Sequence, residues 1–185
     1  YGDRLVLLKS AVISALQNIA AGASENVRVH IEDFNTNGSP IGTYDLIVDG
    51  ALNQAALDAA ISGVNGLSTT GITNYDNALQ SAIGWVDGDQ AGTHGQPLTG
   101  SDVNQVVFVS DGLPSHDIVN ALDEALTLET SFGPIETVGI DLGEGSSALA
   151  TLGQLEGADG DGAIDVSTAD GLLIALEDSL DGDGD

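Results

Sequence analysis

The sequence predicts an α/β domain in three layers, with a mostly parallel central sheet flanked by helices. Three observations lead there. Short apolar runs alternate with helix-period segments through the second half of the chain, and the first half opens on an amphipathic helical pattern. The 185 residues, 42% of them hydrophobic, suffice for one packed core and would be cramped as two.

Leu5, Leu8, Val12, Ile13, Leu16 and Ile19 recur at helical spacing, with Gly22 where a stop is expected. Val27, Val29, Ile31 and the neighbouring Phe34 then give a strand, Asn35 to Pro40 a turn, and Thr43 to Val48 a second strand, so the pair reads as a hairpin. Leu52 to Val64 and Tyr75 to Val86 are alanine-rich helical patterns, separated by the small, polar stretch Gly66 to Thr73. Strand, helix, strand, helix, short strand and helix follow in order: Val106 to Val109, Ile118 to Leu128, Glu136 to Ile140, Ser146 to Leu155, Ala163 to Val166, Thr168 to Leu180. Ser167 and Asp170 resemble a capping box opening the last helix. Residues 1–180 form the domain and 181–185 an acidic linker or tail.

Against 29 acidic residues stand only Arg4, Lys9 and Arg28, for a formal net charge of -26, which repels nucleic acid and anionic lipid surfaces. Bound cations would relieve that self-repulsion, so a calcium-rich extracellular medium suits the chain. Cysteine is absent, and any metal must be met by oxygen or imidazole. No uninterrupted apolar run approaches the roughly 20 residues that cross a bilayer, so no membrane insertion is expected.

In open α/β sheets, ligands bind beyond the carboxyl ends of the strands. Two stretches lie there. Val106 to Ser115 is an apolar strand that ends on Asp111 and turns at Gly112, and Thr70 to Tyr75 is a glycine-containing loop that places the Thr73 hydroxyl at the mouth of a helix. Hydroxyl and carboxylate on one rim are hard oxygen ligands, suited to magnesium, calcium or manganese. The alternative is that both are helix caps, Thr73 for the helix from Tyr75 and Asp111 for the one after Ser115.

Gly71-Ile72-Thr73-Asn74-Tyr75-Asp76-Asn77-Ala78-Leu79 resembles the threonine loop of von Willebrand factor A domains, and Phe108 to Ser115 resembles their second aspartate motif, in the same order and spacing. The similarity extends over nearly the whole chain, towards the versions found in large calcium-dependent bacterial RTX adhesins. The resemblance implies a metal-ion-dependent adhesion site in which Thr73 and Asp111 hold Ca2+ or Mg2+, with Asn74, Tyr75, Gly112 and Ser115 on the ligand-binding rim. It implies binding without catalysis, to a protein or glycan on a host or neighbouring cell surface. The setting it implies is the bacterial cell surface, within a longer multidomain chain. A calcium-rigidified spacer is the alternative.

The family's Asp-x-Ser-x-Ser signature ends the central strand before the first helix, a position that precedes Tyr1 here. That strand is therefore expected to be removed, supplied by another segment or outside the given sequence, leaving the sheet without its middle. Asp165-Val166-Ser167 does not replace it, because Ala169 stands at the second serine.

Asp159, Asp161 and Asp165 carry part of an EF-hand spacing and are possible further calcium ligands, although the first ligand and the closing glutamate are not in place. Asp87, Asp89 and Asp102 are equally ambiguous. His30, His94 and His116 lack ligand spacing and read as structural or solvated, and Trp85 reads as packing its helix on the sheet. Ser110, Asp111, Ser115 and His116 do not form a nucleophile elbow, and no enzyme is expected.

Overall fold

The computed structural model describes residues 2–22, 25–68, 72–90, 104–115, 118–143, 145–157, 160 and 162–180. Its order is α1 (Gly2–Gly22), β1 (Val27–Phe34), β2 (Gly38–Val48), β3 (Ala51–Leu52), α2 (Gln54–Gly66), α3 (Tyr75–Gln90), β4 (Val106–Ser110), α4 (Val119–Ser131), β5 (Ile135–Ile140), α5 (Ser147–Leu152), a 3-10 turn (Gly153–Glu156), β6 (Ile164–Val166) and α6 (Ala169–Leu180).

The strands form two three-stranded sheets. One is the expected hairpin with the two-residue β3 added, all antiparallel. The other, β4-β5-β6, is parallel. The same two helices cover both. On one face α1 gives Ala11 and Ala15 to the core of the parallel sheet, with Val138, Ile140 and Val166, and Leu16 and Ala20 to the core around Leu46 and Val64, against which Val29 and Ile31 pack. On the other face α3 gives Tyr75, Leu79 and Val86 to a core with Phe108 and Ile135, against which Phe34 packs.

Within this layer β1 and β4 are each an outermost strand of their sheet. Both end on the same rim, where Phe34 stacks on Phe108 with ring centroids 4.8 Å apart. Among the described residues the strands thus form two separate sheets, and the parallel one carries the carboxyl-terminal rim.

Several local expectations are corrected. The turn after β1 is shorter, because β2 begins at Gly38 and Pro40 pairs with Glu32. Pro40 is tolerated because β3 joins β2 only at Ile47 and Val48, so the missing N–H disrupts no second ladder. Leu52 belongs to β3, and α2 starts two residues later behind the cap Asn53, whose side chain accepts from the Ala56 N–H at 3.3 Å. The last helix is capped by Thr168, whose hydroxyl accepts from the Gly171 N–H at 3.1 Å, in place of the Ser167 and Asp170 box. Gly133 is required after α4 because a Cβ there would run into the carbonyl of Asn104.

By length and mean apolarity alone, α1 from Asp3 to Gly22 passes as a bilayer-crossing helix, contrary to the reading from uninterrupted runs. Ser10, Ser14, Gln17 and Asn18 break the run without lowering the average enough. In the fold its buried face is core.

Candidate metal centre

The parallel strand β4 delivers Asp111 to the rim, and the segment before α3 brings Thr73 to the loop that follows Asp111. The Ser115 N–H donates to the Thr73 carbonyl at 2.7 Å, pinning the two loops to one another. A second tie runs beneath them. The Tyr75 hydroxyl donates to the Gly112 carbonyl at 2.6 Å and its oxygen lies 2.9 Å from Ser110 Oγ. Tyr75 is 1% exposed and meets Phe108 edge-on at 5.0 Å. Burial, aided by the Asp111 charge and opposed by the Ser110 hydroxyl, pushes its phenol up to about 12.

Among the described residues neither Thr73 nor Asp111 caps a helix. Asn74 caps α3, its side chain accepting from the Asn77 N–H at 3.2 Å and its carbonyl from the Ala78 N–H at 3.3 Å. The position before α4 is Ile118, with no side-chain cap. Thr73 Oγ1 and the Asp111 carboxylate take no hydrogen bond from the described residues. Two hard oxygen donors on interlocked loops fit a small divalent cation with an incomplete protein shell.

The expected rim divides into two levels. Ser115 is exposed and Gly112 half-buried, whereas Asn74, at 9%, and Tyr75 lie beneath and hold the loops in register. Asn74 is also tied to the hairpin, its N–H donating to the Asn35 carbonyl at 3.0 Å.

Asp165 sits at the end of the sheet with both oxygens engaged, accepting from the N–H groups of Leu142 and Gly143 at 2.8 Å each. Asp159 and Asp161, its expected companions in a calcium turn, lie outside the described residues, as do His94, His116 and Asp102. Among the described residues no group of three or more acidic or histidine side chains is arranged to hold a metal. Trp85 packs as expected, stacking on His30 at 4.4 Å and donating to Thr43 Oγ1 at 2.9 Å, and His30 also contacts Thr43 at 3.0 Å.

Two features escaped the sequence reading. Glu156 is buried at 4%, and its carboxylate accepts from the Thr137 N–H at 2.8 Å, the Thr137 hydroxyl and the Gly162 N–H at 2.7 Å. Arg4 reaches the rim from α1, donating to the Asp111 carbonyl at 2.8 Å, to the Asp141 carbonyl at 2.8 Å and to Asp141 Oδ2 at 3.1 Å.

By sequence, neither a family model nor a curated protein matches the chain. By structure, it is similar to a von Willebrand factor type A protein from Catenulispora acidiphila, with a TM-score of 0.70 at 14% identity over 94% of this chain and 37% of that one. It is also similar to proximal thread matrix protein 1 of the mussel byssus with a zinc-occupied MIDAS motif, with a TM-score of 0.69 at 13% identity over 98% of this chain and 43% of that one. A third is the manganese-loaded TRAP protein of Plasmodium vivax, with a TM-score of 0.56 at 17% identity over 89% and 63%. This likeness shows the fold, the α/β arrangement of von Willebrand factor A domains. The chain spans less than two thirds of each of these proteins.

Proposed function

We propose that this chain is a metal-dependent protein-interaction module that makes and breaks no covalent bond. Thr73 supplies a hydroxyl and Asp111 a carboxylate to Ca2+ or Mg2+, and a carboxylate of the bound partner joins water in the positions left open. The observation that carries this reading is the pairing of the two donors. Neither caps a helix, and both stand on loops locked together through Ser115, Tyr75 and Gly112 at the carboxyl rim of the parallel sheet. The zinc-occupied and manganese-loaded fold neighbours support a divalent cation without fixing which one.

The same reading places the module outside the cell, in a larger bacterial adhesin that engages a protein or glycan on another surface. Support comes from a net charge of -26, which cations in the medium would screen.

Thermal unfolding from a chelated start tests it, because an ion that binds only the native state raises its stability with concentration. The reading expects Ca2+ or Mg2+ to raise the unfolding temperature of the parent and to leave Thr73→Ala and Asp111→Ala unmoved. A rise that persists in both variants contradicts it.

A further inference from the structure

Only three cationic side chains serve this chain, and each is committed. Lys9 donates to the Asn65 carbonyl at 2.7 Å and Arg28 to Asp45 at 2.6 Å, both away from the rim. Arg4 alone is placed at the candidate metal centre, and it faces backbone there. Its two terminal nitrogens fork across the carboxyl ends of adjacent parallel strands, one to the Asp111 carbonyl and the other to Asp141. A guanidinium holds such a fork rigidly, whereas an ammonium offers a single compact charge.

The far end of this fork is a fixed point. Asp141 has a left-handed backbone, φ 55°, which non-glycine residues adopt only when their surroundings hold them there. Its N–H donates to the Val166 carbonyl at 2.8 Å, and the next two N–H groups are taken by the Asp165 carboxylate. The near end is the backbone of Asp111, whose side chain is the proposed ligand. Arg4 thus spans from the first turn of α1 to a braced loop and to the residue that must aim a carboxylate at the cation.

We infer that Arg4 is a positioning residue of the metal centre, setting the backbone of Asp111 and making cation affinity depend on where the first turn of α1 sits. The inference rests on the metal reading above. It separates geometry from charge, since a bare positive charge near the cation would only weaken binding, whereas a positioning fork strengthens it.

The test is calorimetric titration of Ca2+ and of Mg2+ into the parent, Arg4→Lys, Arg4→Gln and Asp111→Ala, at a temperature where each is folded. Arg4→Lys keeps the charge and loses the fork. Residues that support a ligand from outside the coordination shell typically contribute about ten- to a hundred-fold in metal affinity. Both Arg4 variants are therefore expected to bind at least about ten-fold more weakly than the parent. Asp141→Asn, which takes the charge from one contact of three, should shift affinity in the same direction by less, and it serves if the Arg4 variants do not fold. Parent-like affinity in Arg4→Lys with tighter binding in Arg4→Gln would mean that charge alone acts, and would overturn the inference. If Asp111→Ala abolishes uptake while Arg4→Lys matches the parent, this inference fails and the metal reading stands. If the parent takes up no ion, or Asp111→Ala binds as the parent does, the metal reading fails and this inference with it.

Discussion

The Ser115 N–H meets the Thr73 carbonyl at 2.7 Å, so residues 42 positions apart hold two rim loops in one unit. Sequence spacing placed a hydroxyl and a carboxylate on the same rim. The backbone bond ties the Thr73 segment to the loop that follows Asp111, so some side chains hold that unit and others are left to bind.

Asn74 and Thr73 should separate cleanly on substitution. Asn74→Ala removes the cap of α3 and should cost about 1 kcal/mol of stability with chelator present, read by denaturant unfolding. Thr73→Ala, which removes no cap, should stay within about 0.5 kcal/mol of the parent under the same conditions.

Tyr75→Phe removes the phenol from the Gly112 carbonyl and the Ser110 hydroxyl, which still pair with each other at 3.1 Å, at a cost of about 0.5–1.5 kcal/mol. The phenol also predicts a pH dependence. Its folded value is raised to about 12 from 10.0, so the unfolded chain ionises first. The stabilisation is full below pH 10 and is lost as pH climbs towards 12, by about 2–3 kcal/mol for a shift of that size. Unfolding free energies across this window should fall more steeply for the parent than for Tyr75→Phe.

The hairpin, the helices and the alternation of the second half were legible because each buries a repeating face, as Leu16 and Ala20 of α1 or Leu79 and Val86 of α3 do. Asp111 could be singled out because it directly follows an apolar strand, whereas Thr73, between α2 and α3, was singled out by its loop motif. Boundaries were lost where local signals tie. Ser167 and Thr168 are adjacent hydroxyls and only the backbone decides which one caps, and a two-residue strand such as β3 has no period. Arg4 was invisible as a rim residue because its partners lie 107 and 137 positions away. Glu156 was missed although its partners lie only 19 and 6 positions away, because no motif around it marks a buried carboxylate.

Glu156→Gln puts an amide NH2 where a carboxylate oxygen accepted, opposing a backbone N–H at Thr137 or Gly162. A loss of about 1–3 kcal/mol is expected by denaturant unfolding, and more for Glu156→Ala, which leaves three donors unpaired.

Asp165→Asn tests whether this carboxylate braces the loop after β5 or holds a cation. As a brace it loses one of two N–H bonds, at a cost of about 1–2 kcal/mol, and the loss should be equal with chelator and with saturating Ca2+. A loss seen only in Ca2+ would assign Asp165 to a metal.

Paramagnetic broadening of backbone amide signals by substoichiometric Mn2+ reads directly where the cation sits. The amides of Thr73, Asn74, Asp111, Gly112 and Ser115 should broaden first, excess Mg2+ or Ca2+ should restore them, and Asp111→Ala should abolish the effect. Broadening that instead centres on Gly160 to Asp165, and persists in Asp111→Ala, would contradict this placement.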